Sequence, residues 1–477
     1  MKNKQDFFGK GVISMKEFIS TICVGIVLLL LILVFLCCSS DSEDIDDYEM
    51  GSKDAERTFK GNRPPIPNFR KQIDYFAWAN EYYAQNKTLG SSRIYEGFWQ
   101  YHADEECMPD PNKDVEEQLL RLTRGPTWES GQYPQVKSYM ENIAGYIKLF
   151  EQAANEPEYC LQLKRDTDIP NFTGILPWSL SGEYAVSILL AQSWQVGKDQ
   201  PERMYQAWQT GLKHSTHLGR SRELLMVMRS SFIRLMIYQS VRDAVAHNVI
   251  YNYKEALDVL TKADPGPFNL TESLYCNWGA ALGLLQELYP RTRLNKTLAS
   301  LIGGLDINEL RRAKVKPIAL IPHIDIYFVK LLHASEQPLS AELLQEVRDI
   351  HSEINKSPFS SHPLRNFIFP KLDKPFLLEL RRLTSFRATA IILLLHQYYS
   401  KHTVWPKSLS LLELDDQSEY LVDPFSGQPF VYIPSSESFL LYSVSEDKTD
   451  NGGKHKTWNR WGETERDTDF VFWPSQQ

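Results

Sequence analysis

Residues Phe18 to Cys38 carry no charged side chain, and Val27-Leu28-Leu29-Leu30-Leu31-Ile32-Leu33-Val34 is unbroken at their centre. About 20 consecutive apolar residues let a helix cross a bilayer. A cleaved signal peptide has a shorter apolar stretch, of about 7–15 residues, and ends in small residues. This run ends Phe35-Leu36-Cys37-Cys38, so it predicts a transmembrane helix. Lys2, Lys4, Lys10 and Lys16 precede it, and Asp41, Glu43, Asp44, Asp46, Asp47 and Glu49 follow. Basic flanks stay in the cytoplasm. The expectation is a single-pass cell-membrane protein with a cytoplasmic N-terminus and a periplasmic or otherwise extracytoplasmic bulk.

The chain has 477 residues, enough for more than one hydrophobic core. A net charge of −8 without an Arg/Lys-rich tract does not suit a nucleic-acid binder, which is usually basic. Three of the six cysteines (Cys23, Cys37, Cys38) lie in the apolar run, and Cys107, Cys160 and Cys276 are scattered beyond it. That is no disulfide framework and no zinc-ribbon spacing.

Apolar spacings of three and four residues mark helices. Val136, Met140, Ile143, Ile147, Phe150 and Ala154 predict one helix, closed by Pro157. A helix pair follows at about 182–194 (Tyr184, Ile188, Leu189, Ala191) and 201–218 (Met204, Ala207, Trp208, Leu212 inward), joined through Gly197-Lys198-Asp199. A long helix at about 222–247 carries Leu225, Met228, Phe232, Leu235, Met236, Tyr238 and Val241. Further helices are expected near 254–262, 271–288, 324–334, 339–354 and 377–400. The 183–216 pair is faintly similar to a tetratricopeptide unit, but no fixed repeat is sustained. After Trp405-Pro406 the pattern alternates. Phe430–Ile433 and Phe439–Val444 flank Pro434-Ser435-Ser436-Glu437 as a hairpin, and Phe470–Trp473 supplies a third strand. The expected fold class is mainly α, a helical bundle or α-solenoid-like ectodomain, with one N-terminal transmembrane helix and a small C-terminal α+β module. The expected divisions are 1–17 cytoplasmic, 18–38 transmembrane, 39–66 an acidic and Pro-rich linker, 67–375 helical and 376–477 α+β.

The tail carries the most specific order of residues. Trp405-Pro406-Lys407-Ser408-Leu409 precedes Asp423-Pro424-Phe425-Ser426-Gly427-Gln428-Pro429-Phe430. Then come Leu441-Tyr442-Ser443-Val444-Ser445-Glu446-Asp447, Asp450-Asn451-Gly452-Gly453 and Asp467-Thr468-Asp469-Phe470. Over about 90 residues this resembles the C-terminal module of the type II secretion major pseudopilin. The ectodomain as a whole is similar to uncharacterised bacterial membrane-anchored proteins that end in that module. The resemblance implies a pseudopilin-like fold and a structural Ca²⁺ ion. Its side-chain ligands would be Asp447, Asp467 and Asp469, with Asp450 a further candidate and Val444 a carbonyl donor. Ca²⁺ takes six to eight hard oxygens, and these residues supply that chemistry. Lys454, His455, Lys456, Arg460 and Arg466 lie in the intervening insertion as competing partners. The chain departs from a pseudopilin at its start. Gly11-Val12 is present, but Glu17 falls one place late, and over 300 residues separate the apolar run from the tail helix.

Other candidates favour ordinary structure. His214 and His217 sit at i, i+3 with Ser215 and Thr216 between. Zinc helices use i, i+4 with a Glu, so a solvated or half-buried pair is expected. Asp166-Thr167-Asp168 and Asp467-Thr468-Asp469 match a cation-gripping Asp-x-Asp, but no β/α alternation precedes them. Trp178, Trp194 and Trp208 are expected in cores. Asn86, Asn171, Asn269, Asn295 and Asn355 open Asn-x-Ser/Thr sequons, which matter only in a eukaryotic secretory pathway. No hydrolase, Walker or dinucleotide signature occurs. The leading expectation is a non-enzymatic membrane-anchored scaffold with protein partners. The alternatives are a cell-envelope enzyme acting on glycans or peptides and an accessory of a secretion or envelope assembly.

Overall fold

A computed structural model describes residues 112–157, 172–196, 199–220, 224–263, 268, 270–288, 320–356, 360–363, 365, 369–412, 418–454 and 468–474, with side chains at 172–181, 196, 280 and 283–288 excepted. The apolar run at 18–38, the linker, Cys107, Cys160, Asp166, Asp168 and Asp467 lie outside the described residues. Among the described residues no helix is long and apolar enough to cross a membrane.

The described chain is mainly helical with one small antiparallel sheet. The helices are α1 (Lys113–Leu122), α2 (Pro134–Asn142), α3 (Ala144–Asn155), α4 (Phe172–Val196), α5 (Pro201–Gly219), α6 (Leu224–Ala246), α7 (Tyr253–Ala263), α8 (Thr271–Leu288), α9 (Ile321–Ser335), α10 (Ala341–Asn355) and α11 (Asp373–His402). Two 3₁₀ turns, Leu409–Leu411 and Ser418–Leu421, lead to strands β1 (Val431–Pro434), β2 (Phe439–Ser443) and β3 (Phe470–Trp473).

The helix ends follow local chemistry. Asn112 and Ser340 accept from the N–H of Val115 and Leu343, capping α1 and α10. Pro134 and Pro201 open α2 and α5, where the missing N–H is not needed. Helix α11 stops at Thr403, whose φ of 60° is left-handed. The single helix expected over 136–154 is divided at Ile143 (φ −99°, ψ 13°). Its six predicted apolar residues nevertheless all face the core.

Helix α5 packs antiparallel between α4 and α6. A Cβ on Gly182 would sit 2.0 Å from His214 Nε2, so only glycine admits that approach. His214 and His217 are therefore buried rather than solvated or half-buried, at 1% and 4% exposure. His214 meets Phe150 edge-on at 4.8 Å, and His217 bonds the backbone of Glu156. Burial holds their pKa values down, to about 3 and about 4. The pair ties α5 to α3 as neutral rings.

Helices α6 and α11 are buried on nearly every side. Not every apolar residue that marks α6 in the sequence is buried. Leu225, Tyr238 and Val241 are buried, but Met228, Phe232, Leu235 and Met236 are only half-buried. Arg229, Arg234 and Arg242 take the interior instead. Glu183 meets Arg229 at 2.6 Å. Glu379 accepts from Arg382 at 2.8 Å, Ser231 at 2.6 Å and the N–H of Phe268 at 2.9 Å. Arg382 also reaches the Tyr238 hydroxyl at 3.2 Å. Arg242 reaches Ser385 and Thr389. Partner numbers rise together along both helices, so α6 and α11 run parallel.

The hairpin and third strand form where expected, in the order β1-β2-β3. One hydrophobic cluster joins α1–α7, the C-terminal half of α11 and the strands through Leu395, Phe430, Phe439, Leu441, Phe472 and Trp473. A second joins α8, α9, α10, the start of α11 and Phe425. Trp194 and Trp208 are core residues, as expected, and the side chain of Trp178 lies outside the description.

Asp325 of α9 is 4% exposed and accepts from Trp278 Nε1 of α8 at 2.9 Å. Burial lifts its pKa from 3.8 to about 6, against the pull of that bond. Above pH 6 the folded state carries a charge that burial disfavours. Below about pH 3 both states are protonated and the penalty is gone. Asp325→Asn keeps an acceptor for Trp278. It should raise stability at pH 7 by about 1–3 kcal/mol, at ~1.4 kcal/mol per pKa unit, and by almost nothing at about pH 3. Denaturant titrations at the two pH values check this, and an unchanged or lower stability at pH 7 contradicts it.

Candidate functional site: the acidic loop and its charged seam

The tail turns on one buried carboxylate. Asp423 is 1% exposed. It accepts from the N–H of Phe425 (3.0 Å), the Ser426 hydroxyl (3.3 Å) and the Ser443 hydroxyl (2.9 Å). This is the turn chemistry expected of Asp followed by Pro. The chain reverses between Asp423 and Gln428, and Gly427 takes φ +68°, which glycine adopts without strain. The turn delivers Phe425, fully buried, into the second core.

Residues 444–454 then form the acidic loop. Ser445, Lys448, Gly452 and Gly453 all have φ between 56° and 76°, so the backbone coils tightly and points N–H groups inward. Asp469, 1% exposed, precedes β3 and faces this coil. Its carboxylate accepts from the N–H of Asn451 (3.0 and 3.2 Å) and of Gly453 (2.7 Å). Burial, chiefly, pushes its pKa up, against the pull of the Asn451 and Gly453 N–H bonds. Asp450 accepts from the Tyr442 hydroxyl at 2.7 Å and the N–H of Gly452 at 2.9 Å. The Tyr442 bond, chiefly, holds its pKa down. Asp447 accepts from the N–H of Thr449 at 3.0 Å and the side-chain amide of Asn451 at 3.3 Å. Val444 is buried, and its N–H bonds Asp423.

Four of the five residues expected to hold an ion thus lie on or beside one coil. Their carboxylates are already served by N–H and O–H donors. An ionised carboxylate has about four acceptor sites, so each keeps capacity for a cation. Among the described residues, however, no three His, Cys, Asp or Glu side chains converge as a metal set. A calcium set here requires Asp467, which lies outside them.

The loop is fastened to the helical body by charge. Glu446 accepts from Arg348 of α10 at 3.0 Å and from Arg381 of α11. Arg348 also lies 3.5 Å from Asp373, and Lys448 pairs with Glu342. Arg381 is 1% exposed, so this bridge is shielded from solvent. A cleft of about 740 Å³ opens between α9, α10 and the loop. Glu342, Glu346, Asp349 and Glu353 fall at spacings of four, three and four on one exposed face of α10, with Lys330 and Lys448 across from them.

Sequence reasoning found the loop but missed the seam. Glu446 stands in the quoted motif without a role, and Arg348 and Arg381 look like ordinary helix-surface cations. No signal in the sequence joins Glu446 to positions 98 and 65 residues before it. No protein-family model matches the chain, no curated protein matches its sequence and no solved structure matches its fold.

Proposed function

We propose that this protein is a membrane-anchored extracytoplasmic scaffold that recruits a protein partner rather than transforming a substrate. The observation that carries the reading is the charged cleft beside the acidic loop. It is open, its walls are α9, α10 and the loop, and it presents a regular acidic row with flanking cations. Such a surface suits a basic or mixed-charge segment of another protein, since complementary charge gives specificity and speeds encounter. The apolar run at 18–38 supports the anchor, and its basic flank supports the orientation. The tail's order of motifs supports a pseudopilin-like module.

In this reading Ca²⁺ completes the acidic loop. Asp447, Asp467 and Asp469 would hold it with help from Asp450 and the Val444 carbonyl. The ion would stiffen the coil whose Glu446 grips α10 and α11. That makes the tail a rigid brace for the cleft.

Two experiments test this proposal. The first is calorimetry and melting of the full chain with Ca²⁺ or with chelator. Ca²⁺ at about 100 times its Kd should stabilise by roughly 2.7 kcal/mol, and Asp467→Asn should abolish the shift while leaving the chelated protein's melting unchanged. Absence of both heat and shift would show that N–H donors alone close the loop. The second is photo-crosslinking in the native membrane from a probe at Gln345. A discrete protein adduct, lost in Asp349→Lys, is expected. Adduct formation unchanged by Asp349→Lys, or no adduct at all, counts against the scaffold.

A further inference from the structure

Helix α6 carries a half-buried apolar stripe beside its buried Arg242. Phe232, Leu235 and Met236, followed one turn on by Gln239, are each half-buried. With Leu190, Leu378 and Phe470 they wall a cleft of about 310 Å³. That volume lies at the small end of ligand sites. Arg242, Arg381 and Ser385 line its buried part, and Arg124 stands at its exposed edge.

The charge of this lining is one-sided. Among the described residues it holds three arginines and no carboxylate. Arg242 is 3% exposed. It donates to Ser385 at 2.9 Å, Thr389 at 2.7 Å and Gln239 at 2.6 Å, all neutral acceptors. Asp243, the nearest acid in sequence, is engaged by Arg124 at 3.2 Å and Gln239 at 2.8 Å. The Glu446 partner of Arg381 is shared with Arg348. A guanidinium taken out of water without an anion is costly. Burial brings Arg242 down to about 10, with Arg124 adding to the drop and Asp243 opposing it. An acidic ligand would relieve this imbalance, and a guanidinium matches a carboxylate or phosphate through paired donors.

We propose that this cleft binds a small amphiphilic anion, with a carboxylate or phosphate head at Arg242 and Arg381. Its apolar body, a single ring or a short chain, lies against Phe232, Leu235, Met236 and Phe470. The apolar walls select against inorganic anions, and the arginines select against neutral apolar molecules. The cleft adjoins the acidic loop through Arg381, which lines it and also bonds Glu446.

The test is calorimetry on the full chain in nanodiscs, with empty nanodiscs as the blank. The probes are 4-phenylbutyrate, phenyl phosphate, acetate and 4-phenylbutan-1-ol. Binding of either aromatic acid is expected, and their ratio distinguishes a carboxylate from a phosphate site. Acetate and the alcohol should bind at least about tenfold more weakly, a difference of ~1.4 kcal/mol. Arg242→Gln should weaken the preferred acid by a similar factor or more. Because that change touches the core, Met236→Asp serves as the second variant. It adds a like charge on a half-exposed wall and should weaken the acid without shifting the melting temperature. Equal affinity for acid and alcohol, no heat from either aromatic acid, or full affinity in Met236→Asp would overturn the proposal.

Discussion

The buried charge seam between α6 and α11 is the constraint on which the rest of the structure depends. Glu379 and Arg382 are 1% and 0% exposed and meet at 2.8 Å. Each also binds α6, through Ser231 and Tyr238. Buried ion pairs add little stability compared with apolar residues, but breaking one is strongly destabilising, by about 3–5 kcal/mol. A seam of this kind therefore fixes register more than it adds stability. Sliding α11 past α6 by one residue would unpair Glu379 from Ser231 and Arg242 from Ser385 and Thr389 together. Greasy helices alone would tolerate such a slip.

Register on α11 sets the tail. Arg381 follows directly from the fixed Glu379 and is placed to receive Glu446. Four residues further from Arg382, Phe386 contacts Tyr238 at 5.7 Å and Tyr420 at 5.4 Å. Arg387 then holds the carbonyl of Val422 at 2.9 Å, just before the Asp423 turn. His396 packs edge-on against Trp405 and Trp473 at 5.1 and 4.9 Å. One helix thus carries, in order, the contacts to the loop, the turn and the strands. The sheet reads as a module in sequence, yet its hydrophobic residues complete a core that α5, α6 and α11 begin.

Local patterns were legible in the sequence because local forces make them. The period of α5, the hairpin around Ser435 and the Asp423 turn each depend on residues within a few positions of one another. The face of α6 was not legible. Phe232, Leu235 and Met236 imitate a core stripe, while Arg229, Arg234 and Arg242 look solvated, since arginine is mostly exposed. What buries them is Glu183, Ser215, Ser385 and Thr389, and only folding brings those positions close. The His214–His217 pair misleads in the same way. Its burial rests on the missing Cβ of Gly182, on another helix. In the acidic loop, the acids were visible but the N–H donors that engage Asp469 were not. Those donors arise from four left-handed backbone positions, of which only Gly452 and Gly453 announce themselves.

The central claim is that body and tail are one cooperative unit, registered by the α6–α11 seam. Native-state hydrogen exchange of the full chain across a denaturant series tests it most directly. The account predicts that amides of the central strand β2 and of the middle of α6 and α11 open with the same free energy and the same denaturant dependence, as members of one unfolding unit do. Strand amides that open at distinctly lower free energy, while α6 and α11 remain protected, would make the tail an independent attachment and contradict it.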